Sequence, residues 1–149
     1  MTVLPDDLVA FASQPNPAVM STVAADGRPV SVPVWYLLED AEHILLSILA
    51  GSSRGNRLNH LRSDPRMSIA ILGNDDWLKA VSIRGTAVEF FEDEDLTIID
   101  SMAVHYLGST YTQRNPRIAV RVRIDDWTTE MAQSKTYAED PQAKDSRVG

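Results

Sequence analysis

The chain has no cysteine among its 149 residues. That excludes disulfides, thiolate nucleophiles and thiolate metal sites, and it fits a cytoplasmic setting. Histidine is scarce: His43, His60 and His105 fall at a strand start, a helix and a helix end, with none of the spacings of a zinc or iron site, so no metal is expected. Glycine is limited to seven residues, and neither the Walker nor the dinucleotide glycine pattern is present. No Gly-x-Ser-x-Gly elbow supports a hydrolase. No run is apolar for the length of a membrane span. Residues 1–7 lack the basic and apolar regions of a secretory signal, so a cytoplasmic protein with no membrane partner is expected. Basic residues number 14 against 21 acidic, and the net charge of −7 opposes a broad nucleic-acid surface. Any anionic ligand must therefore meet a local basic patch.

What is present is a hydrophobic content of 44%, enough for one domain with a core, taken as residues 1–132, followed by a polar, aperiodic tail over residues 133–149. Leu4, Leu8 and Phe11 behind Pro5 predict a short first helix. Residues 18–25 and 29–38 are β-rich runs joined by Asp26-Gly27-Arg28, a hairpin signal. Further strands are predicted over residues 43–49, 67–72 and 78–91, the last interrupted by Gly85, where a bend would let the sheet curl. A helix is expected from Glu92–Asp95 to Gly108, its acidic start complementing the dipole. In the last strand Ile118, Val120, Val122 and Ile124 alternate with Arg117, Ala119, Arg121 and Arg123, one face for the core and one for solvent or a partner.

The stretch after residue 49 carries the chemistry. Gly51 and Ser52 allow a sharp turn, Ser53 can cap the following helix, and Arg54 and Arg57 share a face near its amino end, an arrangement suited to phosphate. The competing reading is an amphipathic connector whose arginines are only solvated. Trp35, Tyr36 and Trp77 lie at strand ends, and with the arginines they suit a phosphorylated, flat aromatic cofactor. Ordinary core packing remains the alternative for Trp35.

The segments Asp26-Gly27-Arg28-Pro29, Pro33-Val34-Trp35-Tyr36, Arg57 with Leu61-Arg62-Ser63-Asp64-Pro65-Arg66, Arg84-Gly85-Thr86-Ala87 and the closing strand from Arg117 to Ile124 together resemble the FMN-binding split-barrel superfamily of pyridoxamine 5'-phosphate oxidase. Within it the chain is most similar to the small F420-dependent oxidoreductases. The resemblance implies a mainly β fold: an antiparallel Greek-key split β-barrel with a few flanking α-helices, homodimeric, with cofactor sites at the interface. It puts Arg57 where relatives carry a phosphate-binding lysine or arginine and Arg54 as a second cation. Pro33, Val34 and Trp35 fall beside the flavin or deazaflavin ring, and Ala50, Gly51 and Ser52 near the ribityl-phosphate chain. Trp77 and Lys79 begin a strand that approaches the site from the other subunit. Lys79, Arg62 and Arg28 are the further cations for the acidic tail of F420.

The implied activity is hydride transfer from F420 to an unsaturated small-molecule substrate, with no side chain required as acid or base. The alternatives are an FMN-dependent oxidoreductase on the same barrel, or a non-catalytic binder of flavin or haem. A closing proton would come from solvent or a hydroxyl such as Tyr36 or Tyr106.

Overall fold

The fold is described from a computed structural model covering residues 3–51 and 56–130. Among these residues the order is α1 (Asp6–Ala12), β1 (Ala18–Val23), β2 (Pro29–Val34), β3 (Leu37–Asp40), β4 (His43–Leu49), α2 (Arg57–Ser63), β5 (Arg66–Leu72), β6 (Ala80–Glu92), α3 (Thr97–Leu107) and β7 (Arg117–Glu130). The strands form one sheet, β2-β1-β5-β6-β7-β4-β3, with every neighbouring pair antiparallel. β5, β6 and β7 form a meander, and β4, which reaches β5 by way of α2, lies beside β7, giving the Greek key.

Although β2 and β3 occupy opposite edges of that order, only Trp35 and Tyr36 separate them. Three Cα steps span at most about 11 Å, so the two edges meet at this corner and the sheet is curled into a barrel, split between β2 and β3. The strand expected over residues 29–38 is therefore two strands. The break falls where Tyr36 is buried and donates its hydroxyl to the Ala12 carbonyl at 2.7 Å, at the end of α1. Trp35, its neighbour, is only half-buried.

Curling is permitted at Gly85. A Cβ there would come within 2.6 Å of a Val122 methyl and 2.7 Å of the Arg123 carbonyl oxygen, and the β6–β7 register shifts between Arg84 and Gly85. The barrel interior is filled by alternate residues, among them Met20, Ile44, Leu46, Ile69, Ile83 and Val122, all at most 1% exposed. Each such side chain contributes about 1.5–3 kcal/mol relative to exposure. Leu58 and Leu61 of α2 join this core.

The third helix begins later than the acidic run suggests. Asp95 and Leu96 take left-handed φ of 58° and 57°, and helical geometry starts at Thr97. The dipole reading nonetheless has a physical counterpart: the Asp93 carboxylate accepts the Ile98 and Ile99 amides at 3.0 and 2.9 Å. On β7, Ala119, expected on the outer face, is fully buried, and Ile99, Met102 and Ala103 of α3 are buried too. Ser53 and the tail over residues 133–149 lie outside the described residues.

Candidate functional site

A cavity of about 690 Å³ opens on the outside of the barrel, between the residues before β1, the end of β2, α3 and the outward faces of β4 and β7. That volume is typical of a small-molecule or cofactor site. Its lining combines apolar residues, among them Pro17, Pro33, Val34, Ile99 and Met102, with two neighbouring cations, Arg57 and Arg117.

Those two arginines are unlike most of the others; among the described arginines Arg62, which lies against the Phe90 ring, is the one other without a carboxylate partner. Arg28, Arg66, Arg84, Arg114, Arg121 and Arg123 each pair with a carboxylate at their own surface position. Among the described residues, neither Arg57 nor Arg117 has an acid within ion-pair distance. Burial lowers the pKa of both, and the neighbouring Arg117 charge lowers that of Arg57 further. Asp93, whose charge reaches Arg117, has its carboxylate oxygens committed to the α3 amides. A guanidinium does not deprotonate, so the cavity holds two half-buried positive charges in a chain of net charge −7. Two such charges are costly without an anion between them.

Arg117 is held before any ligand arrives. Its Nε donates to Ser47 Oγ at 2.7 Å, its Nη2 to the Ser47 carbonyl at 3.1 Å, and its guanidinium lies 5.5 Å from the Tyr111 ring centre. Next to it runs an aromatic wall: Trp35 stacks on Tyr106 at 5.4 Å and 8°, and meets Tyr111 edge-on at 6.0 Å. The hydroxyls in this region are occupied. Tyr106 donates to the Asn16 carbonyl at 2.8 Å, and burial pushes its pKa up to about 12. Tyr36 is raised further by burial and faces the core.

Of the residues singled out from the sequence, Pro33, Val34, Trp35 and Arg57 line this cavity. Ala50 and Gly51 follow β4, with the Ala50 amide bonded to the Pro116 carbonyl at 3.0 Å, and are not in the lining. Ser52 and Arg54 lie outside the described residues. Trp77, 64% exposed, and Lys79, whose ammonium is 4.0 Å from Asp75, precede β6 and do not line this cavity. Arg28 is paired with Asp26, and Arg62 lies 5.7 Å from the Phe90 ring centre.

The phosphate reading of the turn rested on a helix starting near Ser53. The described helix starts at Arg57 and runs seven residues without a side-chain cap, so the cationic character comes from side chains rather than a helix end. Sequence reasoning missed Arg117, Ser47, Tyr111 and Asn74. Arg117 had looked like one more outward arginine of β7. The described residues include one group of three potential metal ligands, Glu39, Asp40 and His43, and Glu39 is paired with Arg121.

Comparison with known proteins agrees with this fold. An F420H(2)-dependent biliverdin reductase of Mycobacterium tuberculosis is 29% identical over 126 residues, covering 83% of this chain and 86% of that one. A solved structure described as an F420 reductase superposes with a TM-score of 0.72 at 16% identity, over 84% of this chain and 98% of that one, a likeness of fold. A conserved hypothetical protein of M. tuberculosis gives 0.67 at 25% identity, over 87% and 86%. Residues 4–130 match the family described as pyridoxamine 5'-phosphate oxidase, and the chain belongs to that family.

Proposed function

We propose that this protein is an oxidoreductase that binds coenzyme F420 in the cavity and reduces an unsaturated small molecule beside it. The observation that carries the reading is the convergence of Arg57 and Arg117, without acid partners among the described residues, in an aromatic-walled cavity. The relative at 29% identity acts with F420H(2), which favours the deazaflavin.

The residues fit a phosphorylated flavin-type group. Arg57 would grip the phosphate in fork geometry and Arg117 would complete the charge, already oriented by Ser47 and Tyr111. Pro33, Val34 and Trp35 offer a flat apolar edge to the ring, while Ile99 and Met102 keep that side dry. When bound, the deazaflavin supplies the hydride. The chain's task is then position and exclusion of water. Neither Tyr36 nor Tyr106 acts as the acid, because both hydroxyls donate to backbone carbonyls and both pKa values are raised; the closing proton comes from solvent. The homodimer belongs to this proposal: Trp77 and Leu107, 64% and 66% exposed, are the large apolar side chains a second copy would cover.

FMN is the second reading, favoured by the same arginines, which suit the dianion of a phosphate monoester equally well. Parallel titrations with F420 and FMN, following ligand fluorescence, separate the two. Tighter F420 binding together with turnover of an unsaturated acceptor supports the first; tighter FMN binding supports the second; binding of neither overturns both.

A further inference from the structure

Residues 108–116 connect α3 to β7 and send one side chain, Tyr111, into the cavity wall. Both backbone polar groups of Tyr111 are held by one ion pair. Its amide donates to Asp100 Oδ1 at 3.1 Å, and its carbonyl accepts Arg114 Nη1 at 2.9 Å. Arg114 in turn forks onto the same carboxylate, Nη1 to Oδ1 at 2.8 Å and Nη2 to Oδ2 at 3.1 Å. Arginine–carboxylate forks fix orientation as well as distance. The ring they fix lies 5.5 Å from the Arg117 guanidinium and edge-on to Trp35 at 6.0 Å.

The chemistry of that partner matters. A half-buried guanidinium needs something to replace its lost water, and a carboxylate would do so while competing with an incoming anion. An aromatic face stabilises the cation and leaves its charge available to a ligand. Asp100 lies outside the cavity lining, so its negative charge clamps the loop, and the part of that loop that meets Arg117 is the neutral Tyr111 ring.

We propose that Asp100 and Arg114 form a clamp that sets the anion affinity of the cavity by holding Tyr111 as the platform of Arg117. Tyr111 is thus a positioning residue for phosphate recognition. This rests on the reading of the cavity as a site for a phosphate-bearing cofactor.

The test is a set of titrations of F420, FMN and riboflavin against the wild-type protein and the variants Arg114→Ala, Tyr111→Ala, Tyr111→Phe and Arg114→Ala in an Arg117→Ala background. Arg114→Ala and Tyr111→Ala are each expected to weaken the phosphorylated ligand about five-fold, and Tyr111→Phe, which keeps the ring, to restore most of it. In the Arg117→Ala background the Arg114 change is expected to have no further effect, because the clamp acts through that guanidinium. Riboflavin affinity stays within about two-fold in Arg114→Ala. A purely structural clamp would weaken riboflavin equally and add its effect to that of Arg117→Ala, and either result would overturn the proposal. Wild-type binding with an unchanged Arg114→Ala affinity overturns the clamp alone; absence of wild-type binding to F420 and FMN overturns the cofactor reading and the clamp with it.

Discussion

Arg117 and Arg121 stand four positions apart on β7 and live in different surroundings. Arg121 bonds Glu39 at 2.7 and 2.9 Å and pairs with Glu89, which raises its pKa. Arg117 has a serine and a tyrosine ring instead, faces Arg57 across a cavity, and has its pKa lowered by burial. In an acid-rich chain, pairing is the ordinary state of an arginine on this surface. A half-buried arginine without an acid partner among the described residues, held rigidly and set beside a second one, marks a place where a ligand can supply the opposite charge.

Four experiments bear on that contrast. The largest effect is expected from the double variant Arg57→Ala/Arg117→Ala, which should weaken F420 or FMN by at least about 3 kcal/mol, with Arg57→Ala alone weakening it by about 1–3 kcal/mol. Thermal melting should show no loss of apo stability in Arg57→Ala, which removes a repulsion and orphans no carboxylate among the described residues. Trp35→Ala comes next. It removes the ring stacked on Tyr106 and should reduce affinity by about 0.5–1.5 kcal/mol. Because this acts on the flat portion of the ligand, riboflavin should lose as much as FMN in the same titration.

Arg121→Ala should leave ligand affinity unaltered and lower stability in a denaturant melt by about 0.2–1 kcal/mol, the usual contribution of a surface pair. The smallest effect at neutral pH concerns Tyr106. Its folded pKa, about 12, lies above the value near 10 expected of an unfolded tyrosine. The folded state therefore retains a proton that the unfolded state loses, so this contribution is fully present below pH ~10 and disappears as the pH rises through about 12. Unfolding curves between pH 8 and 12 check the direction, and Tyr106→Phe should make the decline less steep, the remainder coming from Tyr36, whose pKa burial also raises.

Much of the barrel was legible because its strands obey the two-residue period: β7 alternates, Asp26-Gly27 makes its hairpin, and Gly85 falls where the sheet bends. The break at Trp35 and Tyr36 was hidden, since the run from Val32 to Leu38 carries no polar turn residue and only barrel closure, a long-range event, divides it. The start of α3 was displaced by two left-handed residues, neither of them glycine, which no local preference announces. At the site, Pro33, Val34, Trp35 and Arg57 could be named in advance through family resemblance. Arg117 could not, because an outward arginine in an alternating strand looks the same whether it meets Glu39 or a cavity wall; what distinguishes it is burial and, among the described residues, the absence of a nearby acid, and both depend on packing.

The decisive measurement is a phosphorylated-cofactor titration of Arg117→Ala beside Arg121→Ala, with F420 and FMN as ligands. About ten-fold or greater weakening in the first variant, with wild-type affinity in the second, is the expected result. Equal affinities in the two variants would contradict the assignment of Arg57 and Arg117 as the anion site.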